Sequence, residues 1–386
     1  VTSGRDGVRG APATRSDARV ASYPDLRAVV FLDRVPDGAG DELPGLYSSL
    51  FSTVEWFAVG DKLEPTGACV LEEPHHVILF HSSGDTIEIL NKEFAIGPRS
   101  AERLCRALFR AFPRARRIHL EVLFPPQELR LPARILYWSD HMVVDLPPSE
   151  DDYMASLGKS TRRELRRNWR RLLEAHPTVT TQMLVFSEAP EACIDELVAW
   201  KNRRFNARGE QTTWQTNPVA SQEFGELVRL RGRIRVMRID GRAVAVTFLF
   251  PVGDTVYSFH SGFDPAYETF SLGSLETWGT IADAIRTGHK HVSLLWGQEA
   301  HKRQFGAEPR RATRLSVFRR RTDRLHSLDE AWEVAWRNLR ESGQRRYWRA
   351  RHAAARQARR LGIRSGGGDQ GAAAKPHGGK PTSSSR

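Results

Sequence analysis

The sequence predicts a mixed α/β (α+β) chain of two sequential halves, each a mostly antiparallel sheet flanked by helices. Three observations predict it. The chain is 386 residues long, more than one ordinary core organises. Segments with period two and period 3.6 are interleaved rather than segregated. Pro147 and Pro148 interrupt them near mid-chain. The expected divisions are a disordered N-terminus over 1–24, a first half over 25–148, a second half over 149–321, a basic helical extension over 322–364 and a disordered tail over 365–386.

Residues 1–24 mix Gly, Ser, Pro, Ala and Arg without periodicity. From Leu43 to Val59, "LPGLYSSLFSTVEWFAV" has apolar groups at helical spacing. Three strands follow, "GACVLEE", "HVILFHS" and "DTIEIL", the last two joined through Ser82, Ser83 and Gly84 as a hairpin. "AERLCRALFRAF" is an amphipathic helix stopped by Pro113, and "RIHLEVLF" returns as a strand.

The second half opens with a long helix over 152–176, "DYMASLGKSTRRELRRNWRRLLEAH". Leu157, Leu165, Trp169, Leu172 and Leu173 form its apolar stripe. Its arginines, Arg163 and Arg166 among them, make either a solvated face or a surface for an anionic acceptor or phosphate. A strand, "TTQMLVF", and helices around "EACIDELVAWKNRRF" and "SQEFGELVRLRG" come next. "RIRVMRI", "RAVAVTFLF" and "TVYSFHSGF" then form a meander, its first turn at Asp240–Gly241 tolerating positive φ.

The stretch Phe270–Phe305 carries the chemistry. Leu275, Trp278, Ile281, Ala282 and Ile285 recur at helical spacing, Gly288 ends the helix, and "HVSLLW" is a buried strand lying parallel to Thr255–Phe263 through a crossover. A strand, a glycine turn and a helix N-terminus leave backbone N–H groups aimed at one spot, which suits a pyrophosphate. Gly273 permits close approach, Ser274 can cap, and an ordinary turn is the plainer reading.

The basic excess is not on the body. Residues from Arg319 onward hold 17 basic and 6 acidic groups, whereas 1–318 hold 41 and 40, so a nucleic-acid-binding core is disfavoured. Cys69, Cys105 and Cys193 lie far apart, without disulfide or zinc spacing, and no metal is expected. His75 and His76 lack partners at ligand spacing. No apolar run suits a membrane span or a signal peptide, so the expected location is cytoplasmic, with a peripheral membrane contact through the basic extension kept open.

This order of elements resembles the GNAT acyltransferase superfamily. Residues of about 150–318 are most similar to the CelD-like (cellulose-biosynthesis-type) acetyltransferases, relatives of the Fem peptidyltransferases. The matching pieces are "YMASLGKSTRRELRRNWRRLLE", "LVAWKNRRF", "IRVMRIDGRAVAVTFLF", "YSFHSGFDPAYETFSLGSL" and "GHKHVSLLWGQEAHKRQFG". In the last piece Gly297, Glu299 and Lys302 follow the family pattern, while Ser293 stands where Asp is frequent and His301 where Tyr is frequent. The tandem arrangement of two GNAT-like halves also fits residues 25–148. There "AIGPRSAERL" stands at the equivalent turn, and Pro98 lacks a backbone donor, so the first half is expected to be structural or acceptor-side.

The resemblance implies a bacterial acyltransferase using acetyl-CoA or another acyl-CoA. The acceptor would be an amino or hydroxyl group on a sugar, polysaccharide precursor or similar metabolite. Phe263, Ser271, Leu272, Gly273, Ser274 and Leu275 would hold the cofactor between two splayed strands. Candidate acids and bases are Glu299, His301, His260, Asp264 and Tyr267, with structural hydrogen bonding the plainer reading for the two histidines and packing for Tyr267, whose other role would be to protonate the leaving thiolate; Lys302, Arg163, Arg166 and Trp200 would face the acceptor. Glu299 with Lys302 could equally be a helical ion pair. Two other readings remain: Fem-like aminoacyl transfer from tRNA to a cell-wall precursor, and a non-catalytic module binding an anionic membrane or nucleic acid through the C-terminal basic helix.

Overall fold

A computed structural model describes residues 19–60, 62–123, 128–185, 192–207, 212–297 and 300–326. The first half comprises β1 (Val20–Tyr23), β2 (Ala28–Phe31), α1 (Ala39–Tyr47), α2 (Val54–Ala58), β3 (Gly67–Leu71), β4 (His76–Ser83), β5 (Thr86–Ile89), α3 (Pro98–Ala111), β6 (Arg117–Val122) and β7 (Ala133–Asp145). The second comprises α4 (Glu150–Ser156), α5 (Lys159–Ala175), β8 (Thr180–Val185), α6 (Ala192–Asn206), α7 (Thr213–Thr216), α8 (Pro218–Arg231), β9 (Arg233–Ile239), β10 (Arg242–Val252), β11 (Thr255–Phe263), α9 (Leu272–Arg286), β12 (His291–Trp296), α10 (Ala300–Arg303) and β13 (Glu308–Phe318).

The strands form one sheet in the order β1-β2-β3-β4-β5-β6-β13-β7-β12-β11-β10-β9-β8. Its named strands are antiparallel except at two joints, β5 with β6 and β11 with β12, each bridged by one helix, α3 or α9. The halves exchange their last strands. β7 lies against β12, β13 lies against β6, and the two exchanged strands pair with each other from Glu308–Val143 to Val317–Ala133. Leu315 and Val317 of β13 are therefore buried in the first core, and Met142 and Val144 of β7 in the second. The expected pair of separate sheets becomes a continuous one, because each half lacks a strand that only the other supplies.

Several expected elements are corrected. β1 lies inside the stretch expected to be disordered, since Val20–Tyr23 pairs with β2. The helix expected over Leu43–Val59 is broken: α1 stops at Tyr47, Ser48 turns left-handed at φ +48°, and Thr53 caps α2 through the Trp56 N–H at 3.3 Å. Serine hydroxyls drive the break, because Ser48 accepts from Asp254 N–H and Ser49 and Ser52 donate to the Lys92 carbonyl. The helix over 152–176 is also interrupted, at Leu157–Gly158, where Leu157 turns extended and drops into the core. β7 lies in a stretch for which the sequence analysis names no element; Asp140 breaks its apolar alternation, and Arg311 holds that carboxylate across the ladder at 2.9 Å. Of the basic extension expected over 322–364, only 322–326 are described, within a short 3₁₀ turn over Arg321–His326; the rest lies outside the described residues.

Two layers cover the second half. α4, α5 and α9 pack on one face of its strands; α6, α8 and the Leu50–Phe51 turn from the first half pack on the other. The α9 layer holds a buried ionic knot: Arg235 on β9 pairs with Glu276 and Asp283 of α9, and Thr247 donates to Glu276 at 3.0 Å. Arg235 and Glu276 side chains are only 7% and 1% exposed. Gly279 is required here, because a Cβ would stand 2.2 Å from the Arg235 guanidinium. Removing one partner of such a pair strands the other charge. Glu276→Ala should therefore cost roughly 3–5 kcal/mol in urea unfolding, and Arg235→Met with Glu276→Leu should recover most of it. Equal losses in both variants would contradict this account.

Candidate functional site

β11 and β12 pair over three positions only, Thr255–His291, Val256–Val292 and Tyr257–Ser293. Beyond them both strands bulge. Against β10 the register skips Phe259, so Leu249 faces Ser258 and Phe248 faces His260. Against β7 the register shifts between Ser293 and Trp296, with Leu295 at φ +58°. An extra residue bends a strand and ends its pairing. Here the two bulges bend neighbours apart at the same level, opening the sheet between 258–263 and 294–296.

The chain leaving β11 turns back beside this opening. Asp264 accepts from the Ala266 N–H at 3.0 Å and caps a short 3₁₀ turn over Pro265–Phe270. Ser271 follows at φ +55°, and α9 starts at Leu272. Ser274 and Leu275 N–H groups return to the Ser271 carbonyl at 2.9 and 3.3 Å. The Leu272 and Gly273 N–H groups have no acceptor among the described residues. Leu272 and Leu275 are buried, which anchors the turn, whereas Gly273 stays partly open with only the Phe263 ring near its missing Cβ, at 3.2 Å. Two free donors at the positive end of a fifteen-residue helix favour an anion.

On the α6 layer, Lys201 places Nζ 3.3 Å from His260 Nδ1 and 5.1 Å from the Trp214 ring centre. The His260 ring packs on Trp214, Phe224 and Phe259. Burial, then the Lys201 charge, pushes His260 well below its ordinary value. Burial, then the nearby Arg204, pushes Lys201 down to about 7. The pair thus offers a neutral imidazole and an amine poised near half-protonation at neutral pH. A line of rings runs from here across both strands: Phe259, Trp56, Phe51, Trp296 and His141.

Residues 159–303 match the acetyltransferase (GNAT) domain family. That segment belongs to the GNAT superfamily, in its CelD-like acetyltransferase family. The GNAT segment makes the chain an acyltransferase and implies an acyl-CoA co-substrate and an acyl acceptor. Among solved structures, the crystal structure of FemX is 10% identical, covers 77% of this chain and 99% of its own, and superposes with a TM-score of 0.55. A conserved protein of unknown function from Bacteroides thetaiotaomicron is 12% identical over 74% of this chain and 98% of its own, TM-score 0.49. L-PGS from Bacillus licheniformis is 11% identical over 67% and 85%, TM-score 0.44. No curated protein matches the chain.

The GNAT segment places the expected residues unevenly. Phe263, Ser271, Leu272, Gly273, Ser274 and Leu275 converge on the turn beside the split. His260 stands on the split edge. Asp264 is a cap, with Arg203 at 4.0 Å, rather than a free base. Tyr267 is half-buried against the α5–α9 core, its ring edge-on to His176, which fits the packing role. Lys302 is buried and donates to the Trp296 carbonyl, so it braces the end of β12 instead of facing a ligand. Trp200 is likewise buried, in the α6–α8 core. His301 is exposed on α10, and Glu299 lies outside the described residues. Arg163 and Arg166 are exposed on α5 with no ionic or hydrogen-bond partner among the described residues.

Pattern reading took Trp200 and passed over its neighbour Lys201. Composition held a signal: with 8 lysines among 58 basic residues, a lysine on an inward helix face stands out, because arginine cannot titrate near neutrality. Among the described residues, no group of three or more His, Cys, Asp or Glu could hold a metal ion, and no helix is long and apolar enough to cross a membrane. Lys201 supplies a test of sign. An unfolded lysine titrates at about 10.4, the folded one at about 7. Between these values the unfolded chain binds more protons, so stability rises with pH. Urea unfolding at neutral and at alkaline pH should show this rise reduced in Lys201→Met. Equal rises would mean that Lys201 stays charged in the folded protein.

Proposed function

We propose that the protein transfers an acyl group, in the first instance acetyl, from acyl-CoA directly to an amino or hydroxyl group of a sugar, polysaccharide precursor or similar metabolite. One observation carries the reading: β11 and β12 part after Tyr257, opposite the free Leu272 and Gly273 N–H groups. The pyrophosphate suits these two donors. The pantetheine arm, an amide chain, suits the unpaired backbone edges of 258–263 and 294–296. Such an arm behaves as a substitute strand between two diverging ones.

Little covalent chemistry is then asked of the protein. It holds thioester and acceptor in one geometry, and a backbone N–H at the split stabilises the oxyanion. The acceptor nitrogen or oxygen attacks the carbonyl carbon, the C–S bond breaks, and the departing thiolate takes a proton. His260, kept neutral by its surroundings, is placed to accept the acceptor's proton, and Lys201 to relay it.

A second reading is aminoacyl transfer from tRNA, favoured by the α5 face on which Arg163, Arg166, Arg167 and Arg170 stand exposed without acidic partners among the described residues. Linkage separates the two. Acetyl-CoA at about 100 times its Kd should stabilise the whole chain by about 2.7 kcal/mol, seen as a raised melting temperature, and tRNA should not. Gly273→Val, which crowds the turn against Phe263 without requiring a forbidden φ, should abolish the shift while the protein remains folded. A shift with tRNA alone would reverse the assignment.

A further inference from the structure

α6 lies close over the parting strand β11. Gly262 makes room for it, because a Cβ there would stand 3.0 Å from the Leu197 side chain. Residues four apart share a helix face, so Lys201, one turn beyond Leu197, is carried over the same strand. Its Nζ stands 3.3 Å from Nδ1 of His260, on the stretch of β11 that has left its pairing with β12. Both residues are half-buried rather than sealed.

Lys201 differs from other lysines of the second half. Lys302 donates to the Trp296 carbonyl, and Lys290 to Asp254 at 2.7 Å. Lys201 has no carboxylate partner among the described residues; it meets the His260 imidazole and the Trp214 ring, with Arg204 nearby. Burial and the neighbouring guanidinium favour its uncharged form. In that form one N–H is donated to His260 Nδ1, and the nitrogen lone pair is left unused. An amine hydrogen-bonded to a neutral imidazole is a nucleophile already joined to its base.

We propose that Lys201 is a self-acylation site: without an acceptor, the protein transfers the acyl group of bound acyl-CoA to its own Lys201 Nζ. The lone pair attacks the thioester carbonyl carbon, the C–N bond forms and the C–S bond breaks. Nζ loses one proton to His260 Nδ1, and the imidazolium returns it to the thiolate, which leaves as CoA thiol. The inference rests on the acyl-CoA reading above. A donor whose pyrophosphate lies at Leu272 and Gly273, on the α9 side, and whose arm passes between the strands presents its thioester on the α6 side, where Lys201 stands. The amide so formed does not titrate, so an acylated Lys201 relays no proton. Self-acylation thus switches off transfer to an external acceptor when donor is plentiful and acceptor scarce.

Incubation of the unsubstituted protein with acetyl-CoA and no acceptor, followed by intact mass and peptide mapping, tests this. One acetyl group per chain is expected, on Lys201, with released thiol levelling off at one equivalent. The exposed Lys159 is the internal comparison and should react at least about tenfold more slowly. Lys201→Arg, which keeps a cation but offers no titrating amine, should abolish the thiol equivalent while the melting shift with acetyl-CoA persists. His260→Gln should slow the modification roughly a hundredfold. Gly273→Val, at the donor turn, should slow acetylation of Lys201 by acetyl-CoA at least about tenfold and leave that by acetyl phosphate, which lacks the nucleotide, unchanged.

Lys201 left unmodified while the acetyl-CoA shift is present overturns the proposal and leaves the acyl-CoA reading intact. So does acetylation of Lys159 as fast as Lys201, or an equal rate with acetyl-CoA in the parent and in Gly273→Val. The mapping uses the unsubstituted protein and stands even if a variant fails to fold. A missing acetyl-CoA shift in the unsubstituted protein would instead reject the acyl-CoA reading, and self-acylation with it.

Discussion

Everything at the split depends on two misfitted strands held in an otherwise regular sheet. An extra residue at Phe259 in β11 and another around Leu295 in β12 bend the strands away from each other after one shared stretch of pairing. Neither bulge would survive on an unsupported ribbon. Each is held because the outer neighbour stays in register beyond it: β10 pairs with β11 as far as Phe263, and β7 pairs with β12 again at Trp296. Lys302 adds a third hold by taking the Trp296 carbonyl. The opening is thus a strained feature over-determined by its surroundings, the condition under which unpaired backbone can persist as a binding edge.

Strand exchange decides which residues flank the split. β7 belongs to the first half by sequence, yet its Met142 and Val144 are packed in the second core and its His141 reaches the split. β13 repays the exchange by completing the first core with Leu315 and Val317. Separating the halves would break both ladders and expose both sets of side chains, so the face between them behaves as a core rather than as a hinge. An opening beside this junction is fixed by burial that neither half possesses alone.

The sequence was legible where periodicity and turn chemistry act locally. The meander β9–β11, the Asp240–Gly241 turn, α9 with its Gly288 end, and the buried β12 follow from spacing and from residues that tolerate positive φ. The turn at 271–275 was legible for the same reason. What escaped was non-local. β7 carries Asp140 inside a strand, acceptable only because Arg311 arrives from a segment far along the chain. Glu93 and His141 are distant in sequence, on elements whose meeting depends on the exchange. Lys302 and Trp200 looked like ligand groups because pattern alone does not report which helical face a core will claim.

The two parallel joints show how one architecture serves two ends. In the second half β11 and β12 part and stay apart, and α9 opens with two free amides. In the first half β5 and β6 share a similar short pairing, Thr86–Arg117 to Glu88–His119, but an isolated bridge from Phe94, beyond the end of β5, to Val122 ties the following chain back to β6. Pro98 then stands at the start of α3 and removes a donor. This joint is closed where the other is open. The chain between the two contacts loops out instead, with Glu93 at φ +53° and its carboxylate delivered to His141. A departure from regular pairing that opens the sheet in one half becomes, in the other, the means of sending a buried carboxylate across the junction to His141.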